Sequence, residues 1–218
     1  MTTVLSLAYR IVITTVAFYA ILRFKKLMSA MRIICLLIWL GLITESAGYF
    51  AAKYYGSNYV IFNIAFYLEF ILIVIYYHYS IPILRKRKLG IYVALAGVVL
   101  GITNNLLLQP ILTTINSNLL FIQCLMVFCL SFFSIHSMLV SDCEHLHLHR
   151  KAHFWIICIL LLYESATLSS WGLYDKLGHN ELEKAVMLDI LLLTVNIMTY
   201  LSYGFVLFYY SKLKHDEY

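Results

Sequence analysis

The chain has 218 residues, 62% of them hydrophobic and 12% charged, with a formal net charge of +5 and a mean hydropathy of +0.84. A soluble domain is nearer half apolar and a quarter charged, so there is too little polar surface here to cover a water-soluble globule, and a bilayer is the implied solvent. The basic residues cluster in short loops between apolar segments, which argues against nucleic acid as a partner, and the five cysteines fall mostly inside those segments, where no disulfide framework is expected.

Seven apolar segments are predicted as membrane-spanning helices, at about 3–22, 32–52, 58–80, 90–109, 117–140, 153–173 and 186–210. The fold class is therefore all-α, with a single seven-helix transmembrane domain over residues 1–218. The first segment has Arg10 ahead of an apolar run, but Arg23, Lys25 and Lys26 follow it rather than a small-residue cleavage site. It reads as an uncleaved span. Both prolines, Pro82 and Pro110, fall at span ends, so long unbroken helices are expected. Gly41, Gly48, Gly97, Gly101 and Gly204 are positions where helices can approach closely.

The loops alternate in charge. Arg23, Lys25, Lys26 and Arg32 follow the first span, Arg85–Lys88 the third, and Arg150 and Lys151 the fifth. Only Lys53 follows the second span, and Gln109–Asn118 after the fourth carries no charge. The positive-inside rule then places the N-terminus outside and the C-terminus in the cytoplasm of a cell membrane, which an odd number of spans requires. Tyr54, Tyr55, Tyr59, Tyr76, Tyr77, Trp171, Tyr174, Tyr209 and Tyr210 lie near span ends, where an amphipathic ring suits the interface.

The second and third spans echo the sixth and seventh. Glu45-Ser46-Ala47 matches Glu164-Ser165-Ala166, and Asn63 to Leu68 matches Asn196 to Leu201. Arg32 stands thirteen residues before Glu45, and Lys151 thirteen before Glu164. This suggests a 3+1+3 parallel repeat, with residues 1–80 and 117–210 as the two copies and helix 90–109 as the linker. The layout resembles the three-plus-one-plus-three arrangement of SWEET sugar transporters and the seven-helix plan of microbial rhodopsins. It departs from both. The last span lacks the lysine that would hold retinal, and the intramembrane prolines of SWEET triplets are missing. The chain also resembles uncharacterised bacterial seven-helix integral membrane proteins with a glutamate in the second span, a likeness that implies no function.

Glu45, Glu69 and Glu164 fall near the middle of their spans, and Arg10 is the only basic residue within one. An acid at a helix centre costs roughly 2.5–3.5 kcal/mol on insertion scales, so it is turned towards protein or a polar cavity, or carried as the neutral acid. The functional reading is a midplane cavity that binds a proton, a cation or an amine-bearing solute. The alternative is hydrogen bonding that only holds the bundle together, through Ser46, Ser165, Thr167 or Tyr67, or an ion pair with Arg10. Asn196, Tyr200 and Tyr203 form one stripe of the last span and Asn63 and Tyr67 one of the third. If the repeat holds, the two stripes face one another across that cavity. Asn104 and Asn105 are candidates for hydrogen bonds between helices.

The segment 141–150 is rich in histidine. His145, His149 and His153 share a helix face at i, i+4 and i+8, a spacing that can hold a zinc-like ion, although a solvated loop accounts for the same residues. No cofactor is implied. A transporter-like membrane protein leads these readings, with the bilayer and a small solute or proton as partners. A receptor or accessory subunit acting through a protein partner or homo-oligomer comes second. An intramembrane metal-dependent hydrolase using His78 and His136 comes third, because no G-x-S-x-G elbow exists and no HxxxH lies inside a span.

Overall fold

The computed structural model describes residues 2–141, 151–177 and 182–213, and side chains within 4–140, 151–170 and 186–213. Among these residues the chain is helical, with no strand. In chain order the helices are α1 (Thr2–Arg23), α2 (Ser29–Tyr55), α3 (Tyr59–Ser80), the short α4 (Pro82–Lys86), α5 (Leu89–Leu107), α6 (Ser117–Ser141), α7 (Ala152–Leu177) and α8 (Leu182–Tyr209). All but α4 are long and apolar enough to cross a membrane, which is the character of a multi-pass integral membrane protein.

Local chemistry sets the boundaries. Gly56 ends α2 with φ +72°, a left-handed conformation that glycine takes without a Cβ clash, and its N–H bonds the Ala52 carbonyl at 3.1 Å. Pro82 ends α3: Ile81 before it is extended, and Pro82 then occupies the first turn of α4, where no N–H is needed. The predicted loop after the third span is thus partly helical. Asn116 caps α6, its Oδ1 accepting from Leu119 N at 3.0 Å. The link from α1 to α2 is held by Arg32, whose Nε donates to the Leu27 carbonyl at 2.8 Å while its guanidinium lies 5.9 Å from the centre of the Phe24 ring.

The helices form two compact units, one from residues 23–126 and the other from the described residues of 1–22 and 127–217. In the first unit α2 and α3 pair as a hairpin, and α5 packs against α3. The second pairing rests on close approach. A Cβ at Gly90, Gly97 or Gly101 would run into His78, Phe70 or Tyr67 respectively. The order of those partners makes α3 and α5 antiparallel. Gly48 lies in the same way against Phe62. In the second unit α7 and α8 pair, and α1 meets α8 through Tyr9 with Tyr200, Val16 with Gly204 and Tyr19 with Phe208. The order of these contacts makes α1 and α8 run in the same direction. Gly48, Gly97, Gly101 and Gly204, predicted from the sequence as positions of close approach, therefore stand at helix contacts.

Beside an apolar core, the described residues show large apolar side chains facing outward and several polar ones buried. One stripe of α1 leaves Val4, Leu7, Ile11 and Phe18 each about 60% exposed or more, while Asn63, Ser80, Asn104, Asn116, Ser131, Ser134, Glu164 and Ser170 are buried. Apolar side chains turned outward and polar ones turned inward suit hydrocarbon surroundings, where every polar group needs a partner within the protein.

Candidate functional site

The three glutamates occupy the middle portions of α2, α3 and α7, but their surroundings differ. Glu45 and Glu69 are half-buried. Glu164 is completely buried, at 0% exposure. Arg10 and Asp189 are exposed. The basic residues thirteen positions before the two paired glutamates also part company: Arg32 is exposed, whereas Lys151 is only 4% exposed, next to the buried His153.

Glu164 heads a polar stripe along α7. Thr167 and Ser170, three and six residues further on along one slanting row, are also buried, and neither hydroxyl has a hydrogen-bond partner among the described residues. Hydroxyls within helices usually bond back to the carbonyl four residues earlier. In this protein Thr15, Ser46, Ser80, Thr103, Ser165, Ser169 and Thr194 all do so. Ser165 and Ser169 are on α7 itself. The helix therefore carries satisfied hydroxyls and two buried ones still able to donate and accept: Thr167, beside Glu164 at i+3, and Ser170, which continues the same slanting i+3 row further round the helix. A buried hydroxyl without a partner costs about 1–3 kcal/mol, a cost that a water, a cation or a bound polar group removes. Carboxylate and hydroxyl oxygens together suit a proton, a hard cation or an ammonium group. Thr167 was visible in the sequence as a hydrogen-bonding residue near Glu164. Ser170 was missed, although its position six residues after Glu164 was the available signal.

Asn63 and Tyr67 belong to a different constellation, at the end of the first unit where α5 leads into α6. Asn63 donates both Nδ2 hydrogens to the carbonyls of Ile111 (3.0 Å) and Thr114 (2.8 Å) and accepts from Asn116 N (2.8 Å). Tyr67 Oη accepts from Asn105 (2.7 Å) and Asn116 (3.4 Å). Asn116 also donates to Asn105 at 2.8 Å and accepts from Asn104 at 2.6 Å. Asn104 extends the network to Gln109 (2.9 Å) and accepts from Asn118 (2.7 Å), and Gln109 Nε2 donates to Ser117 Oγ at 2.7 Å. The loop read from sequence as merely uncharged is thereby tied to α3 and α5. Gln109, Asn116 and Asn118 were not singled out from the sequence. Their signal was the density of carboxamides in a stretch too apolar elsewhere to leave them solvated.

Asn196 and Tyr200 are half-buried and Tyr203 is buried on α8, with Tyr200 meeting the rings of Tyr9 at 5.9 Å and Tyr203 at 6.4 Å. This stripe lies in the unit that contains α7, whereas Asn63 and Tyr67 lie in the other. His145 and His149 fall outside the described residues. Among the described residues no group of three or more His, Cys, Asp or Glu is placed to hold a metal ion. His136 is exposed; His78 is half-buried against Gly90, its Nδ1 without a hydrogen-bond partner among the described residues. Among the described residues Cys35, Cys124, Cys129 and Cys158 form no disulfide.

No protein-family model, curated protein or solved structure matches the chain. The likeness to SWEET transporters and microbial rhodopsins therefore rests on the number of apolar helices.

Proposed function

We propose that this multi-pass membrane protein binds a proton, or a small cation or amine-bearing solute, at the Glu164–Thr167–Ser170 stripe, and that it works as a transporter of the cell membrane with its N-terminus outside. One observation carries the reading. A fully buried carboxyl group stands in mid-helix, followed three and six residues later by two buried hydroxyls that lack partners among the described residues. Intramembrane ionisable residues held inside a bundle mark ion and substrate paths more often than they mark structural glue. The Glu-Ser-Ala correspondence adds support for a duplicated transporter architecture. Leu42-x-x-Glu45-Ser46-Ala47 and Leu161-x-x-Glu164-Ser165-Ala166 agree at four of six positions.

The test is proton flux into proteoliposomes carrying an internal pH-sensitive dye, driven by a potassium diffusion potential. The wild type acidifies the lumen above the rate of protein-free vesicles. Glu164→Gln lowers that rate by at least about tenfold, since it keeps the shape and removes the ionisable group. The double variant Thr167→Val/Ser170→Ala lowers the rate while its thermal midpoint stays at or above that of the wild type, because it removes hydroxyls that no group among the described residues satisfies. A wild-type rate equal to that of empty vesicles, together with a thermal midpoint that sodium, potassium and methylammonium all leave unmoved, overturns the reading.

A further inference from the structure

The two ends of the 23–126 unit differ sharply in charge. Because α2 and α3 form a hairpin and α5 runs antiparallel to α3, the start of α2, the end of α3 and the start of α5 all lie at one end. That end carries Arg23, Lys25, Lys26 and Arg32 before and within the first turn of α2, and Arg85, Lys86, Arg87 and Lys88 between α3 and α5. Seven of these eight are exposed and Arg23 is half-buried. Neither 23–32 nor 80–92 contains an aspartate or glutamate. The acids of the unit, Glu45 and Glu69, stand thirteen residues beyond Arg32 and eleven before Ser80. At 1.5 Å per residue that is roughly 16–20 Å along the helices, too far for either acid to form an ion pair with the basic end. The opposite end carries Lys53 and the carboxamide network, whose hydrogen bonds are made largely within the chain.

The basic end is also built to sit at a membrane surface. Ile83 (43% exposed), Leu89 (39%), Ile91 (50%) and Tyr92 (64%) bracket the four consecutive cations. Pro82 starts α4 at once after α3, so the charges stay close to the end of the span rather than on a long tether. Lys88 is held at φ +54°, which turns the chain sharply from α4 into α5. Arg32 keeps the neighbouring turn compact by binding the carbonyls of Leu27 (2.8 Å) and Lys25 (3.4 Å). Apolar side chains in the acyl layer, with guanidinium and ammonium groups just above it, match the phosphate level of a leaflet rich in anionic lipid.

We infer that this end is a binding surface for anionic phospholipid headgroups, and that such lipids stabilise the protein through Arg85–Lys88 with Arg23, Lys25 and Lys26. The surface is independent of the Glu164 stripe, which lies in the other unit. The full chain is reconstituted into nanodiscs of phosphatidylcholine alone, or of phosphatidylcholine mixed with phosphatidylglycerol, and its thermal midpoint is measured. The wild-type midpoint rises by several degrees with phosphatidylglycerol, and the rise shrinks as salt is raised from tens to hundreds of millimolar. The variant R85Q/K86Q/R87Q/K88Q loses most of the rise, while K53Q at the opposite end keeps it. Inorganic phosphate added to phosphatidylcholine discs produces no rise; if it does so as well as the lipid, the surface is a soluble-phosphate site and the inference fails. A wild-type midpoint indifferent to phosphatidylglycerol overturns it without recourse to the variants, and is the outcome expected if the charges instead await an acidic protein.

Discussion

Single residues in this protein divide into those whose hydrogen bonds are complete and those whose bonds are not. Asn116 is the most connected of the first kind. It caps α6 through Leu119 N, donates to Asn105, accepts from Asn104 and gives its own N–H to Asn63. Replacing it by alanine removes a cap worth about 0.5–2 kcal/mol and leaves buried amides unpaired at about 1–3 kcal/mol each. Asn116→Ala is therefore expected to destabilise by roughly 2–4 kcal/mol. Asn118→Ala removes one side-chain bond from an exposed residue and is expected to cost less than about 1 kcal/mol. Denaturant titration in a fixed detergent measures both, and equal losses would mean that the network does not converge on Asn116. Thr167 and Ser170 are of the second kind, and for that reason they, rather than the better-satisfied asparagines, carry the functional proposal.

Helices pair here by surrendering side-chain volume. Gly90, Gly97 and Gly101 recur along one face of α5, and the side chains of His78, Phe70 and Tyr67 fill the space that their missing Cβ atoms leave. In hydrocarbon, where lipid is as apolar as leucine, such close packing is the main force between helices. Gly97→Leu is expected to separate α5 from α3 and destabilise by about 1–3 kcal/mol or more, since the Phe70 ring has to move. The same change at Gly56, with nothing within 4 Å of the added Cβ, meets backbone strain from its φ of +72° alone and is expected to cost about 1–2 kcal/mol. Unfolding of the two variants in one detergent separates packing from backbone strain: a smaller loss at Gly97 than at Gly56 would show that the α3–α5 approach is not tight.

Among the described residues many large apolar side chains face outward and several polar ones are buried, so orientation in the membrane is expected to follow from charge at the loop ends. The positive-inside rule, applied to the basic segments Arg23 to Arg32, Arg85–Lys88 and Arg150–Lys151 of the sequence, leads us to expect the N-terminus outside and the C-terminus in the cytoplasm. Reporter fusions at either terminus check this: a reporter active only in the cytoplasm should work at the C-terminus and fail at the N-terminus. The reverse pattern would overturn the orientation and would move the anionic-lipid surface to the opposite leaflet without abolishing it.

Seven spans, their approximate limits and the glycines of close approach were legible in the sequence. Each depends on local quantities: hydropathy over about 20 residues, a proline's missing N–H, a glycine's missing Cβ. The boundaries moved by up to four residues: α2, α7 and α8 run further into their loops, α5 stops two residues early at Leu107, and the loop after Pro82 forms α4. What periodicity could not separate was the environment of residues that look alike. Glu45 and Glu164 share the same local motif, yet one is half-buried and the other wholly enclosed. Asn63 and Asn196 share another, yet Asn63 is consumed by a loop about fifty residues away in sequence. A helix with apolar residues on every face does not announce which side meets lipid and which meets protein. That choice is made by contacts distant in sequence, so the chain by itself determined that this is a seven-helix membrane protein with acids in mid-span. Only the tertiary structure decided which of those acids is enclosed and which hydroxyls lie beside it, because burial belongs to the packed bundle and not to any one of its helices.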